Sequence, residues 1–185
     1  MKKILLFVCL ISCLWACKEA KTNNNEVPQS EEQTNLSDGS EYEKNGRYCI
    51  FREPVSISSE DGKYHVIIKM HPDLSLPSVK NESFGRTYCD NVADVCVMAG
   101  NDTLMSRQFK KDVFSDYVDN NIASRAILNR ITCRGFSADG VKLEAEISVP
   151  HSDEECYVTI LVNRDGTVTM KRYESEDVPT EIVES

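Results

Sequence analysis

The residues best placed for covalent chemistry are two cysteines near the amino terminus, Cys13 and Cys17. Each follows a short run, Leu-Ile-Ser or Leu-Trp-Ala, that resembles the lipobox, the pattern at which bacterial cells attach lipid. In that chemistry the thiol sulfur forms a thioether with diacylglycerol, and the amino group of the same cysteine is then acylated. Several fatty chains, palmitate among them, would hold the chain at a membrane.

The segment before these cysteines has the organisation of a secretory signal. Residues 2–3 are lysines, and residues 4–16 are uncharged and mostly apolar. This stretch is shorter than the roughly 20 residues that a membrane-spanning helix needs. Ordinary signal peptidase prefers a small residue three positions before its cut, but Leu14 stands there for a cut before Cys17. We therefore predict a lipoprotein signal peptide over residues 1–16.

Cys17 is the favoured lipid-attachment residue, and Cys13 is the alternative. A cut at Cys13 would leave Trp15 in the mature chain and shorten the apolar core, whereas Cys17 is followed at once by the polar residues 18–21. The argument for Cys13 is that a tryptophan is unusual inside a lipobox. Because the residue after Cys17 is lysine and not aspartate, the familiar sorting rule predicts the outer membrane, with the periplasmic or surface face left open.

Composition divides the mature chain into a tether, a folded domain and a tail. Residues 17–44 are rich in Asn, Glu and Ser, so we predict that they form a disordered acidic tether after the lipidated cysteine. Residues 45–174 form a single folded domain, and residues 175–185 an acidic tail. Removal of residues 1–16 takes away two lysines and changes the formal charge from −9 to −11. A chain this acidic repels phosphate backbones, which argues against nucleic-acid binding.

The cysteines of the folded part are candidates for disulfides, because an exported chain permits them. They are Cys49, Cys89, Cys96, Cys133 and Cys156, an odd number that leaves at least one thiol free. Cys133 and Cys156 are predicted two strands apart, about 9.6 Å, which exceeds the roughly 7 Å limit between bridged Cα atoms. Cys89 and Cys96 form the candidate disulfide if Asp90-Asn91 starts a turn. The alternative is isolated thiols packed as small apolar side chains.

No metal or cofactor site is predicted. His65 and His71 lie six residues apart on one predicted strand, about 20 Å, too far to share an ion. His151 lies in a turn-like segment. Residues 163–166 are similar to the middle of a calcium loop, but Leu161 occupies the first ligand position, so a hairpin turn is the better interpretation.

A period of two dominates the folded part. Apolar residues alternate with Lys, Glu and Ser over residues 141–149, and residues 64–70 repeat the pattern. Such alternation predicts antiparallel strands with one buried face. The predicted fold is α+β and predominantly β: a meandering antiparallel sheet of about six to eight strands with one or two short helices.

Turn and helix signals mark the ends of these strands. Hairpin turns are predicted at Asp61-Gly62, Gly100-Asn101-Asp102, Asp139-Gly140 and Asp165-Gly166. A helix is predicted over residues 112–118, with Asp112 as its cap and Val113, Phe114, Tyr117 and Val118 on one stripe.

Short motifs between residues 66 and 173 carry a resemblance to a known family. They are Leu76 to Glu82, Tyr88 with Asp90-Asn91, Phe109-Lys110-Lys111, Ile127-Leu128, and Val149-Pro150 with Asp153-Glu154. Together they are similar to the pattern of an uncharacterised family of Bacteroidetes lipoproteins, domain of unknown function 4738. The chain departs from that pattern at Asn81, where the family has Asp, and at Cys89, an added cysteine. The resemblance implies a gut-commensal type of cell and no known activity.

A second resemblance concerns Asp102-Thr103-Leu104. This tripeptide is similar to the Asp-Ser/Thr-aliphatic acceptor of O-glycosylation in the same phylum, which makes Thr103 a candidate glycosylation residue. Its predicted place on a hairpin tip would give a glycosyltransferase easy access. The alternative is an ordinary turn.

These observations favour a lipid-anchored binding or scaffold module of the outer membrane over an enzyme. No phosphate loop, serine-hydrolase elbow or zinc-protease motif is present in the sequence. The expected partners are the membrane, through the lipid, and an envelope protein or glycan. The alternative is an enzyme that acts on envelope polymers or glycans with carboxyl groups as acid and base.

Overall fold

The computed structural model describes residues 36–173, which form three four-stranded sheets. The small sheet contains, in spatial order, β1 (Glu41–Lys44), β2 (Arg47–Ile50), β6 (Arg86–Tyr88) and β5 (Val79–Asn81). The front sheet contains β3 (Val55–Ser58), β4 (Tyr64–Pro72), β7 (Asn91–Ala99) and β8 (Asp102–Phe109). The back sheet contains β12 (Val168–Arg172), β11 (Glu155–Asn163), β10 (Gly140–Ser148) and β9 (Ile127–Ser137).

The apolar faces of the front and back sheets form one hydrophobic core. In β4 the alternate residues Tyr64, Val66 and Ile68 are almost fully buried, and in β10 the alternate residues from Val141 to Ile147 are buried as well. Both sets belong to the same cluster of packed side chains. The predicted alternation is therefore confirmed, because each strand turns one apolar face inward.

All four predicted turns join neighbouring antiparallel strands. They connect β3 to β4, β7 to β8, β9 to β10 and β11 to β12. Each turn contains a glycine with positive φ, and Gly140 is the most constrained of them. A Cβ atom there would lie 2.1 Å from the carbonyl oxygen of Val162, so no other residue fits without backbone movement.

The predominantly β character is confirmed, but the prediction of one meandering sheet of about six to eight strands is wrong. After β4 the chain leaves the front sheet and forms β5 and β6, which join the small sheet before β7 returns to the front. Tyr48 of β2 pairs with Tyr88 of β6 in a parallel arrangement. Two strands far apart in sequence meet there, so no local turn signal announces the pairing.

Two short helices lie between β8 and β9. The predicted helix is a 3-10 helix, Lys111–Tyr117, that begins one residue before Asp112; Lys110 occupies the cap position and makes no side-chain cap bond. A one-turn helix, α1 (Asn120–Ala123), follows, and Asp119 caps it. Neither helix of the described residues is long and apolar enough to cross a membrane.

The folded domain begins before the predicted boundary at residue 45. Residues 36–44 contain β1 and a turn in which the amide of Gly39 donates to the carbonyl oxygen of Phe51 at 2.8 Å. The Asp38 carboxylate lies 2.6 Å from the Arg130 guanidinium of β9. Residues 36–44 are ordered by polar contacts and by the pairing of β1 with β2, although they contribute few side chains to the core. Residues 17–35 of the predicted tether, the leader and residues 174–185 lie outside the described residues.

A disulfide joins Cys49 to Cys89, with 4.9 Å between the Cα atoms, so the predicted Cys89–Cys96 bridge is wrong. The residues Asp90-Asn91 do not reverse the chain, which runs on into β7 and carries Cys96 away. Instead, the amide of Cys89 donates to the carbonyl oxygen of Tyr48 at 2.8 Å, which brings Cys89 beside Cys49. Cys96, Cys133 and Cys156 are free thiols.

A buried polar junction ties the start of β7 to the start of β9. The Asp90 carboxylate accepts hydrogen bonds from the amides of Asn91 (2.9 Å) and Leu128 (2.8 Å), and the Lys111 ammonium lies 3.3 Å away. The Asn91 side chain donates to the carbonyl oxygen of Leu128 at 2.9 Å. Because β9 is an edge strand, these side chains satisfy backbone groups that would otherwise lack partners.

Candidate functional site

Two adjoining concave regions meet at Phe136, and together we call them the Phe136 cleft. The larger has a volume of about 600 Å³ and is lined by Ser59, Glu60, Asp61, Lys63, Tyr64, Phe136, Ser137 and Ala138. The smaller has a volume of about 450 Å³ and is lined by residues 135–137, 139–142 and 161–163. Both volumes fall in the range of ordinary ligand sites.

Two hairpin turns build this cleft. The β3–β4 turn supplies residues 59–63, and the end of the β9–β10 hairpin supplies residues 135–140. The Tyr64 hydroxyl and the Lys63 ammonium both donate to the carbonyl oxygen of Ala138 at 3.4 Å, which ties the two turns together. The cleft is therefore braced from both sheets, as a preformed binding site requires.

An aromatic pair lines the cleft. The rings of Tyr64 and Phe136 are stacked, with their centroids 6.3 Å apart and their planes within 8°. Tyr64 is buried and fixed by the core, whereas Phe136 is half-buried and lines both concave regions. A rigid aromatic ring of this kind presents a flat apolar surface to a sugar ring or to an apolar side chain.

The rim of the cleft carries both signs of charge. The Asp61 carboxylate accepts hydrogen bonds from the Ser59 hydroxyl (2.6 Å) and the Lys63 amide (3.0 Å), and these bonds hold its pKa below the usual range. Asp61 therefore stays ionised at neutral pH and is unsuited to act as a general acid. Glu60 and Asp139 are exposed. The arrangement can bind polar groups around an apolar centre.

A smaller concavity lies on the outer face of the front sheet. Its volume is about 340 Å³, and Lys69, Asp94, Cys96 and Gln108 are among its lining residues. The Asp94 carboxylate already accepts a hydrogen bond from Gln108 at 3.0 Å and lies 3.3 Å from His71. With its carboxylate engaged and without an aromatic ring, this region is the weaker candidate.

A charged cluster joins the small sheet to the β10–β11 turn. The two oxygens of the Glu41 carboxylate are taken by Arg86 (3.0 Å) and by His151 (2.7 Å). Nearby, the Asn81 side chain donates to the carbonyl oxygen of Pro150 at 2.6 Å. These contacts fasten the β10–β11 turn to the small sheet, and both oxygens of the carboxylate take part in them.

The predicted site residues are scattered. Cys13 and Cys17 lie outside the described residues. Cys89 is buried in the disulfide with Cys49, Cys96 is a half-buried thiol on the front sheet, and Thr103 is exposed at the beginning of β8. Thr103 is therefore accessible, and its glycosylation stays a prediction.

Histidines and carboxylates form no metal centre within residues 36–173, where no group of three or more ligating side chains comes together. His65 accepts or donates hydrogen bonds with the hydroxyls of Ser56 (3.3 Å) and Ser58 (2.8 Å). The side chains of His65, His71 and His151 each contact a different part of the surface. Residues 163–167 form the β11–β12 turn, where Thr167 donates to Asp165.

Phe136 is not among the site residues predicted from the sequence. The signal available was a phenylalanine near the end of an alternating run, close to the predicted turn at Asp139-Gly140. That signal could place Phe136 on a strand but could not bring it to Tyr64, which lies 72 residues earlier in the numbering. The pairing depends on how the two sheets pack.

Comparison with known proteins identifies a family for this chain but gives no activity. A search of the curated proteins found no match. The model of a family described as a domain of unknown function, DUF4738, matches residues 31–170, which include nearly the whole described domain. The match covers well over half of the chain, and the protein belongs to the DUF4738 family.

Proposed function

We propose that this protein is a lipid-anchored module of the outer membrane that binds an envelope protein or glycan at the Phe136 cleft. The observation that carries the proposal is the cleft itself, a preformed concavity braced from both sheets, with an aromatic ring at its centre and polar groups on its rim. Ligand sites are typically concave, with apolar or aromatic side chains and a small number of polar groups that fix the orientation of the ligand.

The leader sequence supports the anchor. Residues 1–16 have the organisation of a signal peptide, and Cys17 ends a run similar to a lipobox, with Cys13 as the alternative. The buried Cys49–Cys89 disulfide adds independent support for export, because such bonds persist in oxidising compartments.

Confinement explains how a modest cleft can serve as a binding site. A three-chain anchor at Cys17 and a tether of some tens of ångströms would hold the domain in a thin layer beside the membrane. Its effective concentration toward other envelope components then rises far above its average concentration in the cell. Weak contacts suffice under these conditions, so binding to the soluble form would underestimate binding in place.

The alternative is an enzyme that acts on envelope polymers or glycans through carboxyl groups. General acid catalysis near neutral pH needs a carboxyl group with a raised pKa. The carboxyl groups with a shifted pKa in residues 36–173 are Asp61, Asp73, Glu154 and Asp165, and each is shifted downward. Hydrogen bonds from serine, threonine or arginine side chains are the main cause in each case. These four carboxyl groups are therefore unsuited to act as the general acid.

The anchor is tested by crosslinking in the cells that make the protein. With Cys17→Ala we expect the protein to leave the membrane fraction and to lose most of its yield of a specific crosslinked partner, at equal abundance. The physical reason is the loss of confinement, which lowers the effective concentration by orders of magnitude. The yield is measured by mass spectrometry of purified adducts.

Cys13→Ala is the matched control and should change neither localisation nor yield. An acylated peptide that starts at residue 13 would show that the other cysteine carries the lipid. Equal recovery from the Cys17→Ala form would mean that affinity and not confinement drives association. Turnover of a glycan by the purified protein, without any specific adduct, would favour the enzyme.

A further inference from the structure

The edge of the front sheet at β3 differs from every other sheet edge in residues 36–173. The three sheets have six edge strands, and β3, with the sequence Val-Ser-Ile-Ser, is the one without a charged residue. The other five carry charges, for example Glu43 in β1, Lys80 in β5, Arg107 in β8, Arg130 in β9 and Lys171 in β12. Charged residues on an edge discourage pairing with another strand, and β3 lacks this protection.

The backbone of β3 is oriented to accept a further strand. The amide of Ser59 donates to the carbonyl oxygen of Tyr64 at 3.0 Å, which fixes the alternation of hydrogen bonds between β3 and β4. By that alternation Val55 and Ile57 bond to β4, while Ser56 and Ser58 turn their N–H and C=O groups away from it. Two donors and two acceptors therefore face outward in one row.

The side chains of β3 suit an apolar partner on one face. Val55 and Ile57 are 38% and 40% exposed, which is unusual for such residues beside a core. They pair with Ile68 and Val66 of β4, so they continue the apolar face of the front sheet at its edge, where that face is exposed. On the opposite face, His65 holds the hydroxyls of Ser56 and Ser58 and keeps the strand in place.

Carboxylates stand at both ends of this row. Glu53 precedes the strand, and Glu60 and Asp61 follow it, all three exposed. The nearby cations are engaged elsewhere: Arg52 donates to the Asn129 carbonyl oxygen at 3.1 Å, and Lys63 donates to Ala138. The ends of the edge therefore favour a partner with basic residues, and a second copy of this acidic chain would bring the same carboxylates.

We propose that β3 is a docking edge for an extended segment of a partner protein, which adds as a strand with apolar residues at alternate positions and basic residues at both ends. This mode of recognition combines main-chain hydrogen bonds with pockets for alternate side chains. The inference rests on the proposed binding function and specifies its partner as a polypeptide. The docked strand would end at Ser59, which lines the Phe136 cleft.

The test is fluorescence anisotropy with the full-length lipidated protein in lipid nanodiscs. The probe is a labelled synthetic peptide, Lys-Val-Thr-Val-Thr-Val-Lys. Ser56→Pro removes an outward N–H and blocks the edge while leaving the bonds to β4 intact, so we expect affinity to fall about tenfold or more. Ser56→Ala removes the hydroxyl but keeps the N–H, so its affinity should fall much less than that of Ser56→Pro. Thermal unfolding of both variants verifies that they fold.

A second probe and a comparison with the cellular adduct distinguish the possible outcomes of this test. A probe with glutamate at both ends should bind about tenfold more weakly, in a salt-dependent manner. Equal binding of the lysine probe by the Ser56→Pro form and the natural protein overturns the inference, and so does no binding of that probe to the natural protein. A dimer of the natural protein that only Ser56→Pro dissociates also overturns it, because β3 would then pair with a second copy of the chain. If the lysine probe fails while a cellular adduct still forms at the Phe136 cleft, the docking edge is wrong and the proposed function stands.

Discussion

Replacement of Asp90 with alanine is expected to lower the free energy of unfolding by about 3 to 5 kcal/mol. The Asp90 side chain is 5% exposed, and its loss leaves the amides of Asn91 and Leu128 without their acceptor and the Lys111 ammonium without its carboxylate, with only the Ala126 carbonyl oxygen still bonded to it. An unpaired charge and an unpaired amide in a buried place each carry a desolvation penalty. Denaturant titration followed by circular dichroism measures the change.

The matched control is Asp94→Ala on the outer face of the front sheet. Asp94 is half-exposed and contacts Gln108 and His71, so its removal should cost less than about 1 kcal/mol. If the two substitutions have equal effects, the polar junction at Asp90 does not hold the domain together.

Removal of the disulfide is the second large effect that we expect. Cys49 and Cys89 are 40 residues apart, and a loop of that length constrains the unfolded chain by about 4 kcal/mol. The double variant Cys49→Ala/Cys89→Ala should therefore unfold at a much lower denaturant concentration. A reducing agent should lower the midpoint of the natural protein to a similar value and leave the double variant unchanged.

Cys96→Ala is the control for the disulfide, because Cys96 is a free thiol. Its midpoint should lie close to that of the natural protein, and the effect of the reducing agent should persist. Peptide mapping without reduction should recover Cys49 linked to Cys89. Recovery of Cys89 linked to Cys96 would show that the small sheet is paired differently.

The hairpins could be predicted because their signals are local. At Asp61-Gly62 and Asp139-Gly140, a turn dipeptide lies between two alternating runs, and each pair of strands is joined by that turn alone. The small sheet could not be predicted in this way. The parallel pair of Tyr48 and Tyr88 joins strands separated by β3 to β5, and it also determines the partner of Cys89.

The Phe136 cleft could also be predicted from the sequence only in its local parts. Its two turns were each predictable, but their meeting depends on the packing of the front sheet against the back sheet. The hydrogen bonds from Lys63 and Tyr64 to Ala138 form because the sheets pack in this way, and no sequence pattern predicts either bond. Hydrophobic alternation indicates which face of a strand is buried, but not which other strand covers it.

The residues that carry the family resemblance act mainly on the fold. Asp90 and Asn91 hold β9, and Lys111 lies against Asp90. Their roles explain why the motifs are short and dispersed, since each one joins parts of the chain that are distant in sequence. Residues of the Phe136 cleft lie outside those motifs, so members of the family could keep the fold and differ in ligand.

The most direct test of the binding proposal is photo-crosslinking from the cleft in living cells. A photo-reactive amino acid replaces Glu60, which lines the cleft, or, as an exposed control, Glu82 between β5 and β6. Glu82 follows Asn81, which bonds to Pro150 at the end of β10 opposite to the cleft. We predict one specific adduct from position 60, its loss with Phe136→Ala in a protein that still folds, and no such adduct from position 82. The same adduct from both positions, or an adduct unaffected by Phe136→Ala, would contradict binding at the Phe136 cleft.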